Sequence, residues 1–282
     1  MDTTGHPHTA EYIAKIALGG MHKAEETLKV EIDHLVTDGA SNMKRMREIV
    51  QQSVPHIVTY HCQPHLLNLL AKDVQKMQQA NIGKILTVLK YLRNKHAANA
   101  ELDARSMNKP PLPCETRWNT LRDSLQYYCN NWANLVSIFE KLEGENSTER
   151  RNVENIMLQR AANELLQIFD IISAALNLLQ SDTSSISTAT ECWLQIVIDI
   201  GELHNVQVLN AAKKRQNEAL NNNSFLAAHL LDNRYRGRNL SAEQLTAATE
   251  YIVNRNQEAN IAIAQYIAET GPYSTKVLSL KT

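Results

Sequence analysis

IDHLVTDGASNM, residues 32–43, is the stretch on which the fold turns, together with its echo at residues 56–70, HIVTYHCQPHLLNLL. In each, a short β-rich run (32–37, then 56–60) stops at polar residues and hands over to an amphipathic pattern, which is a strand-to-helix unit. Asp38 stands at the first handover. Open α/β sheets place their chemistry outside the carboxyl ends of their strands, where side chains project into a crevice while a rigid sheet holds them. Asp38 is therefore the first candidate for chemistry. An Asp before Gly at a strand end also serves as a turn former or helix cap, and both readings stand at this point.

Outward from this unit the chain reads as helix. Upstream, Ile13, Ile16 and Ala17 predict a helix over 9–17 that ends at Gly19 and Gly20, followed by a second short helical stretch over 23–29. Met43, Met46, Ile49 and Val50 mark the helix after Asp38, and Pro55 closes it. Downstream, Leu66, Leu67, Leu70, Val74 and Met77 form a broad apolar face, and Ile82, Ile85, Leu86, Leu89 and Leu92 recur at helical spacing. KPPLP at 109–113 must break the helix, because proline removes a backbone donor and pushes its predecessor out of the helical region. Three long helices are predicted beyond it, over 118–142, 149–180 and 189–219, with a Ser/Thr run at 181–190 between the last two. Thr188 with Glu191, and Ser241 with Gln244, have capping-box spacing. A helix of roughly 30 residues is about 45 Å long, so these elements build a bundle or a stalk. The predicted fold class is mostly α with a small α/β part.

The 282 residues, 43% of them hydrophobic, can bury a real core in one or two domains. No uninterrupted apolar run approaches the roughly 20 residues needed to span a bilayer, and the first residues lack a secretory pattern, so no membrane partner and an intracellular location are expected. Cys62, Cys114, Cys129 and Cys192 are far apart with no CxxC pair, which favours reduced thiols. The formal net charge of −1 gives no global attraction to nucleic acid, so any binding must come from local patches. Candidates are Lys44, Arg45 and Arg47; Lys90, Arg93, Lys95 and His96; Lys213, Lys214 and Arg215; and Arg234, Arg236 and Arg238. Only the first lies beside Asp38. His61, Cys62, His65 and distant Cys114 can be assembled on paper into a zinc site, but their spacing does not match the common finger patterns.

TDGASNM at 37–43, the HCQPH run with Cys62 and His65, CETRWNTL at 114–121 and FLAAHLLDNRYRGRNLS at 225–241 together resemble the hAT superfamily of DNA transposases. The resemblance implies a truncated RNase H-like sheet remnant over 1–62 followed by a large all-helical insertion domain over 63–282. In that family three acidic residues bind Mg²⁺ or Mn²⁺ for DNA cleavage and strand transfer. Asp38 matches the second acid, and the first and third would lie upstream and downstream of this chain. Two-metal phosphoryl transfer needs carboxylates that clamp two cations about 4 Å apart, which one aspartate cannot do. Nothing places Asp33, Asp73 or Glu115 beside Asp38 to complete the set. Asp38 would thus hold a divalent cation only weakly, and no cofactor and no independent catalysis are expected.

Further expectations follow from the same resemblance. Cys62 and His65 would support the acidic pocket, and Arg117 and Trp118 would reach toward DNA, with the indole stacking on a displaced base. As residues alone, Arg117 and Trp118 read equally as a buried helix-start pair. Lys44, Arg45 and Arg47 would meet phosphates. The expected function is that of a transposase-derived, DNA-associated protein, nuclear by resemblance and otherwise cytoplasmic, that binds DNA weakly and without sequence preference. It would self-associate through an open strand edge and have no small-molecule substrate. The alternative is a domesticated helical scaffold or protein-interaction module that has lost DNA binding.

Overall fold

The computed structural model describes residues 8–114, 119–142 and 147–273. Among them are thirteen α-helices and one two-stranded parallel sheet, so the protein is mostly helical with a small α/β part. It forms two compact units, the first holding residues 8–66, 185–191 and 216–273, the second 67–184 and 192–215.

In the first unit, Thr9 caps helix α1 (Ala10–Leu28), its Oγ1 accepting the Tyr12 N–H at 3.3 Å. The helix runs through Gly19 and Gly20, where the sequence predicts a stop. A glycine costs a helix only about 1 kcal/mol relative to alanine, and the two predicted stretches share one continuous helix. It ends instead at Lys29, in the left-handed region at φ 54°. Strand β1 (His34–Thr37), helix α2 (Ser41–Ser53), strand β2 (Val58–His61) and helix α3 (Gln63–Met77) follow. The strands pair in parallel from His34 with Val58 to Thr37 with His61, and α2 is the crossover that parallel pairing requires. Ala10 and Ala14 of α1, Met46 and Val50 of α2, and Ile57 form the core here, with Ile32 and Leu35 packed against it.

The second unit takes α3 from Leu67 onward, then α4 (Gln79–Asn94), α5 (His96–Ala104), α6 (Thr120–Leu142), α7 (Thr148–Val153), α8 (Ile156–Leu179) and most of α9 (Ile186–Glu202) and α10 (Val206–Ala219). The proline segment interrupts the helices as predicted, and side chains satisfy carbonyls that no strand pairs. Arg93 donates to Pro110 at 2.8 Å, Ser124 to Pro111 at 3.0 Å and Tyr127 to Asn108 at 2.6 Å. Two of the predicted long helices are each two helices. Asn155 interrupts the first by capping α8, its Oδ1 accepting the Leu158 N–H at 3.1 Å. In the second, His204 turns to φ 55° and Asn205 Oδ1 accepts the Val208 N–H at 3.2 Å. Asparagine offers the backbone a local alternative to the helical ladder, which is why both breaks fall there. Helix α8 is long and apolar enough to cross a bilayer by length and composition. Its buried Leu158, Ala162, Leu165, Phe169, Ile172 and Leu176 recur at alternating spacings of four and three, the stripe of a core helix against α6.

The first unit resumes with α11 (Asn223–Leu231), α12 (Ala242–Arg255) and α13 (Ala259–Ile267). Residues from 216 onward thus share a unit with the strands, unlike the division at 62/63 drawn from the sequence. The cause is what covers β2: the Tyr60 ring meets Phe225 edge-on at 4.9 Å, and the Gln63 amide donates to the Ala219 carbonyl at 3.4 Å. The Ser241 and Gln244 capping box forms in both directions. The Thr188 and Glu191 box does not, because Thr188 already lies inside α9 and its N–H donates to Ser185 Oγ at 3.2 Å. Glu191 instead accepts from buried His229 at 2.8 Å and from Arg238.

Candidate functional site

The loop between β1 and α2 carries Asp38 at the carboxyl end of β1, beside the carboxyl end of β2. Asp38 is exposed, and its Oδ1 accepts the Ala40 N–H at 3.0 Å, an Asx turn that supplies the side-chain oxygen Ala40 lacks at the start of α2. One oxygen therefore shapes the turn while the carboxylate faces solvent. Gly39 packs closely against His65, whose Nε2 would lie 3.0 Å from a Cβ at this position, so a side chain here would push the imidazole aside.

Arg47 is the residue that organises this corner. The sequence reading places it with Lys44 and Arg45 as a phosphate contact, but the structure buries it to 5% exposure. Its guanidinium donates to the Asp38 carbonyl at 2.9 Å, to Thr37 Oγ1, and to His61 Nε2 at 3.0 Å. Three acceptors from the ends of both strands hold it there, so it fastens β1 to β2 and has no free face for a phosphate. Burial above all lowers the Arg47 pKa, against the pull of Asp38 and Glu48.

His61 is a member of this corner that the sequence reading considered only as a zinc ligand on paper. Guanidinium only donates, so His61 Nε2 accepts and the ring proton sits on Nδ1. Burial first, then the charge of Arg47, pushes the His61 pKa down, which keeps the ring neutral at pH 7. Its Nδ1 is buried without a partner, and the Cβ position of Gly39 lies 3.7 Å away. Only the parallel register, which sets Thr37 beside His61, brings these residues together.

The remaining expected residues fall as follows. Cys62 is half-buried at the entry to α3, its N–H donating to the Thr37 carbonyl at 2.7 Å, and His65 lies one turn on against Gly39. Lys44 and Arg45 are exposed on α2, Arg45 pairing with Glu48 at 2.9 Å. Arg117 and Trp118 lie outside the described residues. Arginines in the other basic clusters are also engaged within the fold. Arg93 holds Pro110, Arg215 pairs with Asp73 at 2.8 Å, Arg234 with Asp232, and Arg236 donates to the Tyr266 carbonyl at 2.9 Å.

The residues around Asp38 do not fit a two-metal centre. Its neighbours are a guanidinium and imidazoles, and no three ligand groups converge there among the described residues. The group that does converge is Glu31, Asp33 and His56, with ligand atoms within 4.8 Å of one another. These exposed residues precede β1 and β2 and so lie at the opposite end of the strands from Asp38. What the Asp38 corner can do is present one carboxylate and two exposed basic side chains on a rigid strand-to-helix turn. No protein-family model and no curated protein matches the chain.

Proposed function

We propose that this protein is a hAT-type transposase derivative that associates weakly with DNA and does not cleave it alone. The observation that supports this reading is the placement of Asp38 at the carboxyl end of the first of two parallel strands, ahead of an extensive helical region. The strands are read as the remnant of an RNase H-like sheet and the helices as the insertion domain, with a nuclear location following from the resemblance. Phosphates would meet Lys44 and Arg45 at the exposed start of α2. Fluorescence anisotropy with random-sequence duplex DNA tests this. Binding should be weak and fall steeply between about 50 and 200 mM salt, because each phosphate contact releases counterions. Absence of binding at the lower salt would favour the second reading, a helical interaction module. The observation behind that reading is the engagement of arginines 47, 93, 215, 234, 236 and 238 inside the fold.

A further inference from the structure

The first unit contains a cleft of about 650 Å³ beside α11, α12 and α13, in the size range of small-molecule sites. Its walls are mainly apolar, with Ala227, Ile252 and Ile263 among them, and Tyr266 and Tyr273 meet edge-on at its border with ring centroids 5.4 Å apart. Three polar atoms on its lining residues are buried without any hydrogen-bond partner: Ser224 Oγ, Tyr251 Oη and His34 Nε2. Ser224 is itself 5% exposed. With less than 1 Å² of each accessible, these atoms sit behind the cleft wall, and the groups that face an occupant are the apolar and tyrosine surfaces and Arg255. Arg255 also lines the cleft. Its guanidinium lies over the Tyr251 ring at 5.2 Å from the centroid and has no acidic partner among the described residues.

We propose that this cleft binds a small aromatic anion, with its ring body against the apolar and tyrosine walls and its charge on Arg255. The site is independent of the Asp38 corner and of any DNA role. Apolar walls exclude a hydrophilic phosphate ester, and the lone cation selects a single negative charge. Arginine suits the anion because its planar donors match a carboxylate or sulfonate in pairs.

The test uses two fluorescent probes on the full chain, 8-anilinonaphthalene-1-sulfonate and N-phenyl-1-naphthylamine, which is the same molecule without its charge. Both should bind saturably at one site per chain, the anion more tightly. Arg255→Gln should weaken the anion about tenfold, the scale of one charge-assisted contact, and leave the neutral probe unchanged. Ala228→Trp, which fills the cleft, should remove both. In amide NMR spectra of the unsubstituted protein the anion should shift Ser224 and Tyr251 before residues of the second unit. Unsaturable uptake, equal losses of both probes in Arg255→Gln, or amide shifts confined to other residues would overturn the proposal.

Discussion

Replacing Arg47 with methionine keeps the length of a buried stem and removes three hydrogen-bond donations at once. The Thr37 hydroxyl still donates to the Asp38 carbonyl at 3.2 Å, but His61 Nε2, now held at 3.0 Å, loses its donor. A stranded buried acceptor costs about 1–3 kcal/mol. Against this, methionine escapes the desolvation that depresses the Arg47 pKa, leaving a net loss of about 2 kcal/mol. The loss falls on the pairing of β1 with β2, so the amide to watch is Cys62, whose N–H reaches the Thr37 carbonyl across the strand ends at 2.7 Å. A destabilisation of about 2 kcal/mol corresponds to roughly thirtyfold faster hydrogen exchange there. Lys44→Gln and Arg45→Gln, on the exposed face, should change it by no more than about twofold. Exchange at Cys62 that is unaltered in Arg47→Met would show that Arg47 fills space without fastening the strands.

Neutralising Lys44 and Arg45 together should lower duplex affinity and flatten its salt dependence, and unchanged anisotropy titrations would remove α2 from the proposed DNA face. With Mg²⁺ or Mn²⁺, the chain should leave supercoiled plasmid intact; metal-dependent nicking lost in Asp38→Asn would demand a catalytic site built differently. Elemental analysis should find no stoichiometric zinc on Cys62 and His65, and one zinc per chain lost in Cys62→Ser would refute their packing role. Acid should weaken the first unit. Burial alone would raise the Glu191 carboxyl, but hydrogen bonds from His229 and Arg238 outweigh it, and Asp232 is held well below its usual range chiefly by Arg234. Both folded-state values lie below the ordinary 4.5 and 3.8, so the stabilisation is complete above about pH 4.5 and is lost as pH falls through the folded values. Urea midpoints between about pH 6 and pH 3 should decline accordingly, and less so in Glu191→Gln.

Much of this architecture is legible in the sequence because it rests on local signals. The strand-to-helix handover at Asp38, the proline break and the Ser241 cap each depend on residues within a few positions of one another. The misreadings of helix boundaries share one cause, which is that a local signal was outweighed by a competitor. Two adjacent glycines lost to a continuous helical face, and Thr188 lost its capping role to Ser185, three residues earlier. Asn155 and Asn205 looked like ordinary helix-interior residues until their side chains took backbone N–H groups. Arg47 was beyond reach for a different reason. Its fate depends on Thr37 and His61, which come together only when two strands pair, and a basic residue next to two others reads as surface. Likewise, Ser224, Tyr251, His34 and Arg255 are scattered over more than 200 positions and carry no spacing that announces a cleft.

Because residues 8–66 and 216–273 complete one compact unit while most of the chain between them belongs to another, the order in which the protein is made matters. At about 5–20 residues per second, the ribosome needs roughly 7 to 30 s to add the chain between Leu66 and Gln216. Throughout that interval Tyr60 is without Phe225, and the two strands stand with uncovered edges in a crowded solution. The intervening helices make mostly local contacts and can fold while they emerge. Newly made protein should therefore spend its most aggregation-prone seconds with its beginning waiting for its end.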